Sequence, residues 1–214
     1  MNKPYVVVSC PIDTYSGYGS RARDVVRALM KSDKYDVKIL SQRWGSTPYG
    51  FLNENNPEEK KMKDSIIPPQ LTRQPDVWIQ ITVPNEFQKV GKFNIGITAG
   101  IETDICTPQF IEGCNRMDLI LGSSNHTKTV FEKTIYDKKD KEGNLQGTVK
   151  LETKCEVLFE GLDLEKYFHI ALNDLPKTEL VTELDTIDEN FCFLFVGHWL
   201  QGDIGEDRKN VGLL

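Results

Sequence analysis

Short apolar runs alternate with amphipathic segments along most of the chain, and this alternation limits the possible folds more than any other feature. The first run, residues 5–10, is rich in valine, as is typical of a buried strand. In residues 21–31, apolar side chains recur at helical spacing, with Arg and Asp on the opposite face. Strands separated by such helices form βαβ units. The pattern therefore predicts an α/β fold, a mostly parallel sheet with helices on both faces.

The same alternation predicts where the elements and domains lie. Strands are expected at residues 5–10, 37–40, 76–82, 93–98, 118–122 and 155–159, with helices at 21–31, around 108–115 and from 123 or 124. Three polar stretches interrupt them: a loop at 43–70 with a short helix near 58–63, a solvated hairpin or insertion at 137–150, and a linker at 171–189. The apolar run at 191–197 predicts a new strand. We therefore expect one domain at 1–170, a linker at 171–189, and the truncated start of a second domain at 190–214.

Charge and hydropathy exclude several classes of protein. The 214 residues include 26 Lys and Arg against 32 Asp and Glu, a net charge of −6, and the pI is near 5.2. An acidic chain of this kind does not favour nucleic acid or an anionic membrane as a partner. No apolar run approaches the roughly 20 residues of a membrane span. The apolar N-terminal run is too short for a signal peptide, so we expect a cytoplasmic protein.

Cysteine and histidine spacing gives no sign of a metal site. The five cysteines are scattered without a Cys-x-x-Cys pair, and the three histidines lie far apart. Structural zinc needs such clusters. We expect reduced thiols and no bound metal.

Two glycines follow the first strand and are candidates for ligand binding. Gly17 and Gly19 precede a predicted helix, where glycine lets a ligand approach the backbone and free amides attract anions. With Ala22 they also fit the Gly-x-Gly-x-x-Ala dinucleotide fingerprint. However, six residues separate the first strand from Gly17, and the second strand ends in Ser41 and Gln42 without an acid for a ribose. Glycines that serve only a turn remain the alternative.

Two acids, Glu102 and Asp104, follow the fourth predicted strand. The carboxyl ends of parallel strands form the crevices in which open α/β sheets bind ligands. A carboxylate there could accept hydrogen bonds from sugar hydroxyls. Either acid could equally cap the next helix.

The middle of the chain carries an ordered series of short motifs. Residues 95–134 comprise a strand, an acidic loop, a helix started by proline, Asn-x-x-Asp, a second strand and a serine that opens a helix. Residues 155–163, CEVLFEGLD, add a strand that ends in a Gly-x-Asp turn. In this order the motifs resemble the family 4-like glycosyltransferases of the GT-B fold. The matching positions are Glu102, Pro108, Asn115, Asp118, Ser124, Glu160, Gly161 and Asp163.

This resemblance implies two Rossmann-like domains that face each other across a cleft. The implied reaction transfers a sugar from a nucleotide-sugar to a glycan or other acceptor, with retention and without a metal or other cofactor. The first domain would hold the acceptor and the second the nucleotide. Gly17 and Gly19 would lie over the donor phosphates. Arg208 and Lys209 would neutralise the diphosphate leaving group.

On the acceptor side, the resemblance implies a cleft lined by Glu102, His126, Glu160 and Gly161, and it assigns no catalytic residue. His126 also fits a solvated residue in the first turn of a helix. The family's donor-binding carboxylates lie late in the second domain. We therefore expect a glycosyltransferase when the protein is complete, and a fragment that is inactive by itself.

Two other classes of function stay open. One is a nucleotide-dependent oxidoreductase with a Rossmann domain. The other is a non-catalytic module that binds a glycan or a partner protein. The apolar run at 191–196 would also leave a strand edge uncovered, which predicts either a fold-back onto the first domain or a homodimer through that strand.

Overall fold

A computed structural model describes residues 3–165, 167–171, 174–189 and 191–194. The chain divides into two compact units, Met1–Leu162 and Asp163–Leu214. The strands are β1 (Tyr5–Cys10), β2 (Asp36–Ser41), β3 (Val77–Ile81), β4 (Phe93–Thr98), β5 (Leu119–Gly122), β6 (Ile135–Lys139), β7 (Leu145–Lys150) and β8 (Cys155–Val157). The helices are α1 (Gly17–Ser32), α2 (Pro57–Asp64), α3 (Pro108–Cys114), α4 (Asn125–Lys133) and α5 (Glu179–Leu184), with a 3-10 turn at Pro84–Glu86.

Six parallel strands form the central sheet of the first unit, in the order β2-β1-β3-β4-β5-β8. The chain moves outward from β1 to β2 and then returns to β3 on the other side of β1. The loops that follow β1 and β3 therefore diverge, and this reversal is where doubly wound sheets open a crevice at their carboxyl edge. The predicted α/β, Rossmann-like parallel sheet is confirmed.

Both faces of this sheet are covered, as the sequence predicts. Val6 and Val8 of β1 pack on one face with residues of α1 and α2, while Tyr5 and Val7 pack on the other with residues of α3 and α4. Alternate side chains of β1 thus enter two different cores, which explains why nearly every residue of this strand is apolar. In the described part of the chain, no helix is long and apolar enough to span a bilayer.

Hydrogen bonds explain two of the element boundaries that differ from the sequence prediction. Helix α1 begins at Gly17 rather than at 21, because the Ser16 side chain accepts a hydrogen bond from the Gly19 amide at 2.9 Å and caps the helix. Gly17 and Gly19 therefore belong to the first helical turn and not to a preceding loop. Strand β8 ends at Val157, two residues early, because the carbonyls of Leu158 and Phe159 accept hydrogen bonds from an arginine of α1.

The polar stretches fold largely as predicted. The 43–70 loop contains α2, and residues 135–150 form the antiparallel hairpin β6–β7. Helix α5, in the second unit, was not predicted: it lies inside the expected linker. Its N-cap is Thr178, whose side chain accepts from the Val181 amide at 3.3 Å. None of its residues is buried, and with six residues the helix is too short to show a repeating apolar stripe in the sequence.

Residues 191–194 do not form the predicted strand, and the prediction is wrong for these four residues. Among the described residues of the second unit there is one helix and no strand, so an edge with which this segment could pair is missing. The Phe193 side chain is 92% exposed. Residues 195–197 lie outside the described part, and the homodimer through 191–196 stays a prediction.

Four of the five cysteines lie in the two cores of the first unit, and all five are free thiols. Burial raises the pKa of Cys10 to about 12 and that of Cys155 to about 11. The same loss of hydration raises the pKa of Cys106 and of Cys114. Because the thiolate is the reactive form, these four side chains are protected both by burial and by protonation. Cys192 is exposed.

We therefore predict that a thiol reagent such as dithionitrobenzoate labels only one cysteine of the folded chain rapidly at mildly alkaline pH. Denaturant should release all five thiols to the reagent. A Cys192→Ser variant is the control and should lose the rapid phase alone. Any rapidly labelled thiol in this variant would contradict the assignment of the other four cysteines to the cores.

Candidate functional site

The candidate site lies at the carboxyl edge of the six-stranded sheet, where the loops after β1 and β3 diverge. The loop between β1 and α1 is held by Arg23, which is only 5% exposed. Its guanidinium donates to the carbonyl oxygens of Ile12 at 2.9 Å and Thr14 at 3.0 Å, and it lies 3.5 Å from the ring centroid of Phe51. Desolvation lowers the pKa of Arg23 from its ordinary value. A buried cation thus fixes the backbone that leads into α1.

Two hydroxyl groups, those of Thr14 and Ser16, form the cap at the start of α1. The Thr14 hydroxyl donates to the Pro11 carbonyl at 2.9 Å and lies 2.8 Å from the Ser16 hydroxyl. Ser16 in turn accepts from the Gly19 amide. The amides of the first helical turn have no partner within the helix, and the helix dipole adds positive potential at this end.

The two glycines of the first turn occupy different environments. A Cβ atom at Gly19 would lie 2.4 Å from the Thr14 carbonyl oxygen, so the close approach of the preceding loop requires a glycine at this position. At Gly17, which is exposed, a Cβ would meet nothing within 4 Å. Gly17 alone leaves open space above the helix start, and it is the glycine at which a ligand can approach the backbone.

Between these glycines, Tyr18 joins α1 to the end of β4. Its hydroxyl lies 3.1 Å from the Thr98 hydroxyl and accepts from the Ala99 amide at 3.0 Å. Its ring stacks on Trp44, with centroids 4.1 Å apart and an interplanar angle of 23°. Desolvation is the main cause that raises the pKa of Tyr18, and the charges of Glu160 and Glu102 raise it further. The hydroxyl is therefore kept protonated.

Because the charges of both Glu102 and Glu160 act on Tyr18, the fold brings each of them near this side chain, from positions 58 residues apart in the sequence. Both side chains are exposed. Arg21 of α1 sets the path of the chain before Glu160, because it donates to the Leu158 carbonyl at 2.6 Å and the Phe159 carbonyl at 3.0 Å. The next residue, Gly161, also has open space around its Cβ position.

Helix α4 closes the site behind β4 and β5. Ser124 caps it by accepting from the Thr127 amide at 3.1 Å, and the Thr127 hydroxyl donates to the Ala99 carbonyl at 2.7 Å. Gly100 has φ +83°, and a Cβ there would lie 2.4 Å from the Thr127 side chain. His126, in the first turn, is exposed at the same edge, and it forms no hydrogen bond or ion pair with any described residue.

The structure thus places Gly17, Glu102 and Glu160 around one central side chain, Tyr18. Arg208 and Lys209 lie outside the described residues, so their positions stay a prediction. No group of three or more metal-ligating side chains occurs in the part of the chain that is described.

Sequence reasoning missed Tyr18, Trp44 and Arg21. A tyrosine between two glycines at the start of a helix is the only local signal for this group. The contacts of Trp44 and Arg21 depend on residues that are distant in sequence, and no local pattern indicates them.

Comparison of the chain with models of protein families, with curated proteins and with solved structures finds no match. The class of protein is thus defined by the fold and the site alone: an α/β protein with a parallel, doubly wound sheet and a polar crevice at its carboxyl edge.

Substitution of Gly17 and of Gly19 by alanine should affect stability differently. Gly19→Ala forces a Cβ against the Thr14 carbonyl and should lower the free energy of unfolding by about 1–3 kcal/mol. Gly17→Ala is the matched control. It has room for the methyl group and restricts the unfolded chain, so it should be neutral or stabilising by at most about 1 kcal/mol. Urea denaturation of both variants measures this, and equal effects would contradict the difference in environment.

A further prediction concerns Tyr18→Phe and pH. At neutral pH the variant loses the hydrogen bonds that the Tyr18 hydroxyl forms with Thr98 and Ala99. Its free energy of unfolding should therefore be about 1 kcal/mol lower than that of wild type. Because the folded pKa of Tyr18 is raised, its contribution is present below the ordinary tyrosine pKa of about 10 and is lost as the pH rises through the folded value. The difference between wild type and variant should therefore shrink above that pH. A difference that stays constant or grows would show that the tyrosine pKa is not raised.

Proposed function

We propose that this chain is the acceptor-side half of a GT-B glycosyltransferase, which transfers a sugar from a nucleotide-sugar to an acceptor with retention and without a metal. The observation that carries the proposal is the open start of α1 above Gly17, at the point where the strand order reverses. Amides at the N-terminus of a helix bind phosphate groups, and the crevice at a strand-order reversal is where open α/β sheets bind nucleotides.

The charges around Tyr18 support a sugar rather than a bare phosphate on the other side of the crevice. Glu102 and Glu160 repel an anion but accept hydrogen bonds from hydroxyl groups. The charges of both carboxylates act on the Tyr18 hydroxyl, which belongs to the first turn of the same helix. The diphosphate of a nucleotide-sugar fits the amides near Gly17, and the hydroxyl groups of a sugar acceptor fit the two carboxylates.

The remaining roles come from the family resemblance. Arg208 and Lys209 would neutralise the diphosphate as it leaves, in the manner of other preorganised cations at phosphoryl groups. His126 and Gly161 would line the acceptor side of the cleft. The proposal assigns no group to the covalent step.

The end of β2 favours this proposal over an oxidoreductase. The Ser41 hydroxyl lies 2.6 Å from the Tyr49 hydroxyl, and the Gln42 amide donates to the Ser9 hydroxyl at 2.6 Å. A dinucleotide site normally has a carboxylate at this place to hold the ribose. A non-catalytic glycan-binding module would use the same carboxylates and differs from the enzyme only in lacking transfer.

Gly17→Asp is the sharpest test of the phosphate site. A negative charge in the first turn interacts favourably with the helix dipole. The free energy of unfolding of the variant should therefore be at least that of wild type. The same charge repels a diphosphate, so the affinity for the best of the UDP-, GDP- and ADP-sugars should fall at least tenfold in an NMR titration. Thr72→Asp adds the same charge at an exposed position beside Arg73, whose guanidinium lies over the ring of Tyr5 at the start of β1, and this variant should bind like wild type.

Two further measurements separate the alternatives. Enhanced fluorescence of a reduced nicotinamide nucleotide on binding would favour the oxidoreductase. Release of nucleoside diphosphate when a nucleotide-sugar and a glycan are supplied together to the whole gene product would support the transferase. Glycan binding without such release would favour the binding module. Undiminished nucleotide-sugar binding by Gly17→Asp would overturn the proposed phosphate site.

A further inference from the structure

A second cleft, of about 420 Å³, opens at the same edge of the sheet between the segment after β2 and the 3-10 turn after β3. It is lined by Arg43, Trp44, Gly45, Ser46, Thr47, Val83 and Glu86. The volume is at the lower end of the range for small-molecule sites, so the cleft suits a ligand of about one ring. Trp44 also stacks on Tyr18, so the cleft adjoins the group around Tyr18.

A buried hydroxyl group holds the Glu86 carboxylate in place. The hydroxyl of Thr82, which is 1% exposed, donates to Glu86 Oε2 at 2.5 Å. The other carboxylate oxygen, Oε1, forms no hydrogen bond with any described residue. A buried hydroxyl thus orients an exposed carboxylate at the mouth of the cleft, and one oxygen remains for a ligand.

Arg43 supplies the opposite charge without neutralising Glu86. Its guanidinium lies 5.2 Å from the ring centroid of Tyr49, and the described residues include no ion pair between Arg43 and Glu86. A cationic ligand would be repelled by Arg43 and an anionic ligand by Glu86. A neutral ligand that both donates and accepts hydrogen bonds satisfies the two groups together.

Trp44, Ser46 and Thr47 complete the recognition chemistry. The half-buried indole offers an apolar surface, and the two hydroxyl side chains add donors and acceptors around it. A pyranose ring combines these properties, since it has an apolar face and a rim of hydroxyl groups. We propose that this cleft binds a neutral pyranose, with the ring against Trp44 and its hydroxyl groups between Arg43 and Glu86. The inference rests on the proposed function in one respect, because the bound sugar would be part of the acceptor.

The test is an NMR titration of the ¹⁵N-labelled chain with methyl α-glucopyranoside, methyl α-mannopyranoside and methyl β-galactopyranoside. The indole resonance of Trp44, identified by its loss in Trp44→Phe, should shift and saturate with at least one glycoside at millimolar concentration. Glu86→Gln keeps an acceptor for Thr82 but removes the charge, and it should weaken binding about tenfold, because hydrogen bonds to charged groups are the stronger ones. Glu142→Gln, in the exposed turn of the hairpin, is the matched control and should bind like wild type.

The inference is overturned if no glycoside moves the Trp44 resonance, or if Glu86→Gln and Glu142→Gln bind equally well. A stronger response to inorganic phosphate or to methylammonium would also overturn it, because the cleft would then select charge. The titration needs no nucleotide. Glycoside binding without nucleotide-sugar binding or transfer would remove the proposed function and leave this site, and the reverse result would remove this site alone.

Discussion

The buried guanidinium of Arg23 is the contact on which the whole carboxyl edge depends. By donating to the carbonyls of Ile12 and Thr14, it fixes a loop that would otherwise leave polar backbone groups buried without partners. The same loop carries Asp13, whose side chain accepts from the Leu52 amide at 2.7 Å and so ties the long segment after β2 to the segment after β1. One cation inside the fold therefore organises two of the loops that surround the crevice.

From that loop, the geometry passes to the helix and then across the sheet. Ser16 caps α1, Tyr18 then reaches the end of β4, and Arg21 reaches the end of β8. These three side chains belong to the N-cap and the first two turns of one helix. Helix α1 thus sets the positions of the carboxyl ends of β4 and β8, which are separated by β5 in the sheet. The result is a crevice with positive potential at the helix start and two carboxylates, Glu102 and Glu160, whose charges act on Tyr18.

Much of this was open to prediction from sequence, for a physical reason. The spacing of apolar residues in strands and helices indicates which side chains face a core. In β1, Val6 and Val8 face one core, while Tyr5 and Val7 face the other. The start of α1 was predicted too late because a serine cap is a single hydrogen bond and leaves no periodic pattern. The strand expected at 191–197 does not form at residues 191–194, because an apolar run becomes a buried strand only where neighbouring strands cover it.

The sequence by itself determined the α/β class, the order of its elements and the presence of glycines and acids after particular strands. Only the tertiary structure decided which of these residues act together. It separated Gly17, which faces open space, from Gly19, which lies against the preceding loop, and it brought Glu102 and Glu160 near Tyr18. The reason is that periodicity is a local property of the chain, whereas a crevice is formed by the ends of strands that parallel pairing aligns, whatever their distance in sequence.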